Sequence, residues 1–159
     1  MTLPITILVG TTTGNAQYCA EEAAFRLSEA GAAPVIKPLD GLDASVLKPQ
    51  EVYLFCVSTY GQGDVSDNAK PMYESLIKGK PDLATVRYGI VCLGDSSHAQ
   101  TFCFAGKRFD NILGKLGAQR IGEVLNHDAS SGLMPEEATA EWIEPWLALV
   151  QAAVARSVA

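Results

Sequence analysis

Five short apolar runs lie at residues 5–9, 35–39, 52–57, 88–93 and from 121 to 124 or a little beyond. Between them, residues 15–30, 68–78, 102–116 and 136–154 carry apolar positions at helical spacing. The runs predict strands and the spaced stretches predict helices, in the order β-α-β-loop-β-α-β-α-β-α. Two runs, Val52-Tyr53-Leu54-Phe55-Cys56-Val57 and Gly89-Ile90-Val91-Cys92-Leu93, are continuous rather than alternating, as strands buried on both faces of a parallel sheet require. Right-handed crossovers then give an α/β fold, a doubly wound five-stranded parallel sheet with helices on both faces. Gly31 and Gly117 stand where helices should stop, and Pro135-Glu136-Glu137 starts the last helix. Trp142, Ile143, Trp146, Leu147 and Val150 share one face of that helix and read as core.

Length and composition narrow the class. The 159 residues are expected to form a single domain spanning 1–159, with a core that needs neither disulfides nor metal. Neither a leader-like start nor an apolar stretch long enough to cross a bilayer is visible, so a soluble cytoplasmic protein with no membrane partner is expected. Cys19, Cys56, Cys92 and Cys103 are widely and irregularly spaced, which predicts reduced core thiols. His98 and His127 are the only histidines, too few to suggest zinc or iron chemistry. A formal charge of −6 argues against a nucleic-acid partner, because binding a duplex needs clustered cations.

Candidate chemistry gathers at the carboxyl ends of three strands, where ligands bind in open α/β sheets. The first segment, Gly10-Thr11-Thr12-Thr13-Gly14-Asn15-Ala16, joins a strand to a helix and is followed by no Lys or Arg before Arg26. An anion held there must be held by backbone N–H groups, hydroxyls and a helix dipole. Neither the Walker A pattern nor Gly-x-Gly-x-x-Gly is present, which favours a monophosphate such as that of FMN over a triphosphate or NAD. The second segment, Ser58-Thr59-Tyr60-Gly61-Gln62-Gly63-Asp64, pairs an aromatic side chain with two glycines, a combination suited to a flat conjugated ring. The third, Leu93-Gly94-Asp95-Ser96-Ser97-His98, leads into Phe102-Cys103. Each alone also reads as turn or capping chemistry. Their shared position at one edge of the sheet is what raises them to a site.

Taken together, these three segments resemble the short-chain flavodoxins, most closely the small bacterial flavodoxins of the YqcA and MioC type. Arg87-Tyr88-Gly89, Gly117-Ala118-Gln119-Arg120 and Glu141-Trp142-Ile143-Glu144-Pro145-Trp146 extend the likeness almost to the C-terminus. The resemblance implies a flavodoxin-like strand order of 2-1-3-4-5 and FMN as cofactor. It assigns the phosphate to the Thr11, Thr12 and Thr13 hydroxyls and the N–H groups of Gly14, Asn15 and Ala16. The ring falls to Ser58, Thr59, Tyr60, Gly61, Gln62 and Gly63 on one side and to Leu93, Gly94, Asp95, His98, Phe102 and Cys103 on the other. Two departures stand out. Many relatives carry Thr or Ser where this chain has Ala16, a lost donor worth about 1 kcal/mol. Relatives usually have Tyr where this chain has His98, so either the imidazole stacks on the ring or the outer face stays partly open.

The implied function is a low-potential one-electron carrier, not an enzyme with its own substrate. Its donor would be an NADPH-dependent reductase of the flavodoxin/ferredoxin-NADP reductase type, and its acceptors would be enzymes with basic surfaces. It is expected to act as a monomer. Asp64, Asp67, Asp95 and Asp128 would oppose negative charge on the reduced ring. An FMN-dependent quinone or small-molecule reductase is the alternative.

Overall fold

The computed structural model describes residues 2–11, 14–60, 64–95 and 102–157. Strand β1 (Pro4–Gly10) is followed by α1 (Asn15–Glu29), β2 (Ala33–Pro38), β3 (Val52–Tyr60) and the two-residue β4 (Asp64–Val65). Then come α2 (Lys70–Gly79), β5 (Arg87–Gly94), α3 (Phe104–Lys115), β6 (Gln119–Arg120), β7 (Leu125–Asp128) and α4 (Pro135–Ser157). The sheet order is β2-β1-β3-β5-β6, with β7 pairing further along β5 and β4 pairing β3. β1, β2, β3, β5, β6 and β7 pair in parallel; β4 is antiparallel to β3. Once β6 and β7 are counted as one interrupted strand and β4 as an appendage, this is the expected order.

The continuous apolar runs have the cause inferred for them. Along β3, Tyr53, Phe55 and Val57 pack with α2 and α3, while Val52, Leu54 and Cys56 pack with α1 and α4 on the opposite face. Burial of both faces leaves no position for a polar residue until Ser58. α1 and α3 both stop in Schellman motifs: Ala32 N–H donates to the Leu27 carbonyl at 2.9 Å and Ala118 N–H to the Leu113 carbonyl at 3.0 Å.

The fifth strand differs from expectation. Residues 121–124, read as strand from their apolar character, are the gap between β6 and β7. The Trp146 indole N–H donates to the Ile121 carbonyl at 3.0 Å, and the Trp142 indole N–H to the Glu123 carbonyl at 3.2 Å. These carbonyls are satisfied by α4 instead of by a neighbouring strand, so the chain leaves the ladder without orphaning them. The two indoles stack with centroids 5.5 Å apart. Trp146 is core, as expected, and reaches so far under β5 that a Cβ on Gly89 would collide with its Nε1. Gly89 is therefore a space requirement.

The second difference is at β3, which continues past Val57 to Tyr60; Thr59 and Tyr60 pair with Val65 and Asp64. Part of the segment expected to be loop is a short ribbon.

Candidate functional site

The carboxyl ends of β1, β3 and β5 are held together by close packing of loop against loop. A Cβ on Gly10 would lie 2.9 Å from Ala69 Cβ and 3.2 Å from Ser66 Oγ. The start of α2 is thus pressed onto the end of β1. Asn68 ties this junction: its amide donates to Asp40 at 2.9 Å and it accepts from the Ser66 hydroxyl at 2.6 Å. Ser58 Oγ donates to Thr11 Oγ1 at 3.3 Å, joining the first segment to the second. On the far side, a Cβ on Gly94 would come within 2.8 Å of the Cys103 backbone nitrogen, so the third segment closes just as tightly.

The N-terminus of α1 begins on a glycine in an unusual backbone conformation. Its N-cap is Gly14, at φ +93° in the left-handed region, which no β-branched residue would adopt without strain. Among the described residues no side chain caps this end, and no acidic residue lies in the first turn. Gly14 N–H donates to Thr11 Oγ1 at 3.3 Å, and its carbonyl accepts from Gln17 N–H at 3.0 Å. The exposed Asn15 and the buried Ala16 begin the helix at the positive end of its dipole.

Beside this helix end is a cavity of about 630 Å³, within the range of small-molecule sites. Asn15, Ser58, Thr59, Leu93, Gly94 and Asp95 line one part of it; His127, Ala129, Gly132, Leu133, Met134 and Pro135 line the rest. The first group comes from all three segments singled out in the sequence. The second group was missed, apart from Asp128 beside it. Its one local signal is the cluster Asp128-Ala129-Ser130-Ser131-Gly132, a turn composition directly before the Pro135 helix start. With the fifth strand drawn four residues early, nothing marked these residues as a strand end.

Several expected site residues have other duties. The Thr59 hydroxyl accepts from Ala105 N–H at 3.1 Å, supplying the first turn of α3 with the cap that Cys103 does not give. Ala16 is fully buried in the core between α1 and the sheet, so its missing hydroxyl falls at a packed position. Cys103 is fully buried; its thiol donates to the Cys92 carbonyl at 3.5 Å and approaches the His127 carbonyl at 3.9 Å. Hydrogen bonding to Cys92 and then burial push its pKa far above the usual thiol value, so Cys103 is a packing group. Phe102 packs partly buried against the same core. Neither Phe102 nor Cys103 is among the cavity-lining residues. Thr12, Thr13, Gly61, Gln62, Gly63 and His98 lie outside the described residues.

The acidic rim is less uniform than the sequence suggests. Asp67 is ion-paired with Lys70 at 3.0 Å, and Asp128 accepts from Ser130 N–H at 3.0 Å and from the Ser130 hydroxyl at 2.8 Å. Asp64 is exposed, whereas Asp95 is half-buried at the cavity wall. Among the described residues no group of three His, Cys, Asp or Glu side chains is placed to hold a metal. No helix among them is long and apolar enough to cross a membrane.

A helix N-terminus with no acid in its first turn and no cap from a described side chain, beside a mixed apolar and hydroxyl-lined cavity at the switch point of a doubly wound sheet, is the arrangement at which proteins of this architecture bind phosphorylated ligands. FMN fits these residues: hydroxyls and N–H groups for a phosphate, and Leu93 with flanking polar groups for a ring. The comparisons with known proteins make the class specific. The flavodoxin family profile matches residues 7–142. Protein MioC of Escherichia coli K12 is 36% identical over 147 residues, covering 92% of this chain and 98% of that protein. Flavodoxin YqcA of the same strain is 37% identical over 142 residues, covering 89% and 95%. The solved structure of a cysteine-to-alanine mutant of flavodoxin from Pseudomonas aeruginosa superposes with a TM-score of 0.83 at 30% identity, covering 94% of this chain and 99% of that one. The chain belongs to the flavodoxin family. It is an FMN-binding electron carrier of the short-chain type, not an enzyme that turns over its own substrate.

Proposed function

We propose that this flavodoxin carries single electrons at low potential, from an NADPH-dependent reductase of the flavodoxin/ferredoxin-NADP reductase type to acceptor enzymes with basic surfaces around the docking site. The observation that carries the reading is the N-terminus of α1, uncapped among the described residues, beside a cavity shared by the ends of β3 and β5. FMN, when bound, supplies reversible one-electron chemistry. The chain supplies the rest.

Thr11 and the N–H groups of Gly14, Asn15 and Ala16 hold the phosphate, without a formal cation in that loop. Ser58 and Thr59 fix the inner edge of the ring site by their bonds to Thr11 and to the first turn of α3. Asp95, half-buried at the wall, disfavours added negative charge and so lowers the potential. The exposed carboxylates outside the cavity and the net charge of −6 favour basic partners through long-range steering.

The test is a titration of the apo-protein with FMN, followed by stepwise reduction of the loaded protein under absorbance. A 1:1 complex that passes through a long-wavelength one-electron form, and that accepts electrons from NADPH only when a reductase is added, is expected. A protein that takes up no FMN, or that oxidises NADPH steadily with a quinone and no reductase, would overturn the proposal.

A further inference from the structure

The described residues lining the cavity include one imidazole. His127 is 5% exposed, and its side chain has no hydrogen-bond partner among the described residues; only its backbone carbonyl is engaged, by the Cys103 thiol at 3.9 Å. Neither ring nitrogen is among the described buried polar atoms left without a partner, so the imidazole is not sealed off and is accessible from the cavity it lines. The site it faces is the one next to Asn15 and the first turn of α1.

The register decides which side of the sheet it serves. His127 pairs with Leu93 across β5 and β7. Side chains paired in register share a face, and Leu93 belongs to the core under α1 and α4. Leu125, two residues before His127, packs in that same core, while Asn126 lines a separate surface hollow with Lys107 and Asp110. The imidazole is therefore on the α1 face, the face whose helix begins at the phosphate loop.

We infer that His127 is a fourth element of the cofactor site, a positioning residue whose imidazole N–H donates to the phosphate of FMN from the end of β7. The inference rests on the FMN-binding reading and adds a donor to it. It also adds a ring N–H donor to a site where Thr11 to Phe25 contains no Lys or Arg.

The experiment measures the dissociation constants of FMN and of riboflavin for the apo-protein and for its His127→Leu and His127→Gln variants, with apo stability followed by urea unfolding. His127→Leu should weaken FMN binding about tenfold or more, as loss of a hydrogen bond to a charged group does, and leave riboflavin within about threefold. His127→Gln, which keeps an N–H donor, should recover FMN affinity to within about threefold of wild type. The phosphorus resonance of bound FMN should move in the Leu variant and less in the Gln variant. If FMN affinity is unchanged in the Leu variant, or falls equally for both flavins, the inference is overturned. If the Leu variant does not fold, the same comparison is read from His127→Asn, which shortens the donor. Failure of wild type to bind FMN at all would instead refute the parent reading.

Discussion

Replacing Gly89 by Ala is the sharpest perturbation of the frame that holds the site. The added methyl would overlap Trp146 Nε1 and lie 2.5 Å from Cε2 and 2.8 Å from Cζ2, all closer than real Cβ contacts. Trp146 cannot retreat outward cheaply, because it is 2% exposed and its N–H is bonded to the Ile121 carbonyl. Overpacking of this kind costs about 1–3 kcal/mol. If the indole tilts away, the Ile121 carbonyl loses its donor, which adds about 1 kcal/mol or more. A total of about 2–4 kcal/mol is expected. With urea m-values of roughly 1–3 kcal/mol per M, the midpoint of unfolding should fall by on the order of 1 M or more. The smaller ring of Trp146→Phe removes the atoms that clash, so the double variant should be less destabilised than the sum of the two single changes, by roughly 0.5–3 kcal/mol. A Gly89→Ala protein within about 0.5 kcal/mol of wild type, or strict additivity in the double variant, would refute the argument.

The cradle and the core offer further tests. Gly14→Ala meets no steric obstacle, since nothing lies within 4 Å of the added Cβ; its cost is the left-handed φ alone, about 1–2 kcal/mol, and calorimetric titration should show weaker FMN binding than in Gly14→Asn, which tolerates that region better. Alkaline pH should destabilise the fold with a defined slope. Burial, and then the Glu51 carboxylate that accepts from its hydroxyl, raise the Tyr53 pKa to about 12 from an ordinary value near 10, against the opposing effect of the Lys48 N–H that donates to the same oxygen. The unfolded chain therefore loses this proton first, and stability present below about pH 10 is lost as pH rises toward 12. Tyr53→Phe should be less stable at about pH 8 and show a shallower fall in urea midpoint from about pH 9 to 11, with a residual slope from Cys19, whose pKa burial raises to about 11.

The inner strands β1, β3 and β5 were legible because each is buried on both faces, so local apolarity and global position agree; β2, at the sheet edge with no fully buried residue, was legible from its apolar run alone. The fifth was misread for the opposite reason. Its second half, Leu125-Asn126-His127-Asp128, is an edge segment that alternates between the core and open surface, while the apolar residues before it sit where two tryptophans some 20 residues later capture the carbonyls. No local signal encodes a bond across that separation. The site followed the same division. Thr11, Ser58, Gly94 and Asp95 were readable from turn-forming residues at strand ends. His127 and the 129–135 wall were hidden by the misplaced strand. Ala16 and Cys103, drawn in by resemblance, turn out to be packed into the core and outside the cavity lining.

The charge argument also changes once the carboxylates are located. From sequence, every acid near the strand ends counts alike: at an effective dielectric of 20 and a separation of ~10 Å, each would oppose a negative ring by about 1.7 kcal/mol, or on the order of 70 mV for one electron. In the fold they are not alike. Asp67 has its charge offset by Lys70 at 3.0 Å and is 89% exposed, so solvent and salt reduce its effect to about 0.4 kcal/mol or less. Asp95 faces the cavity from a half-buried position and keeps the larger coupling. Asp95→Asn should therefore raise the potential of the second electron by on the order of 70 mV, and Asp67→Asn by less than about 20 mV, as read by spectroelectrochemical titration at fixed ionic strength. Equal shifts in the two variants would mean that the potential is set by net surface charge, and the ranking by burial would fail.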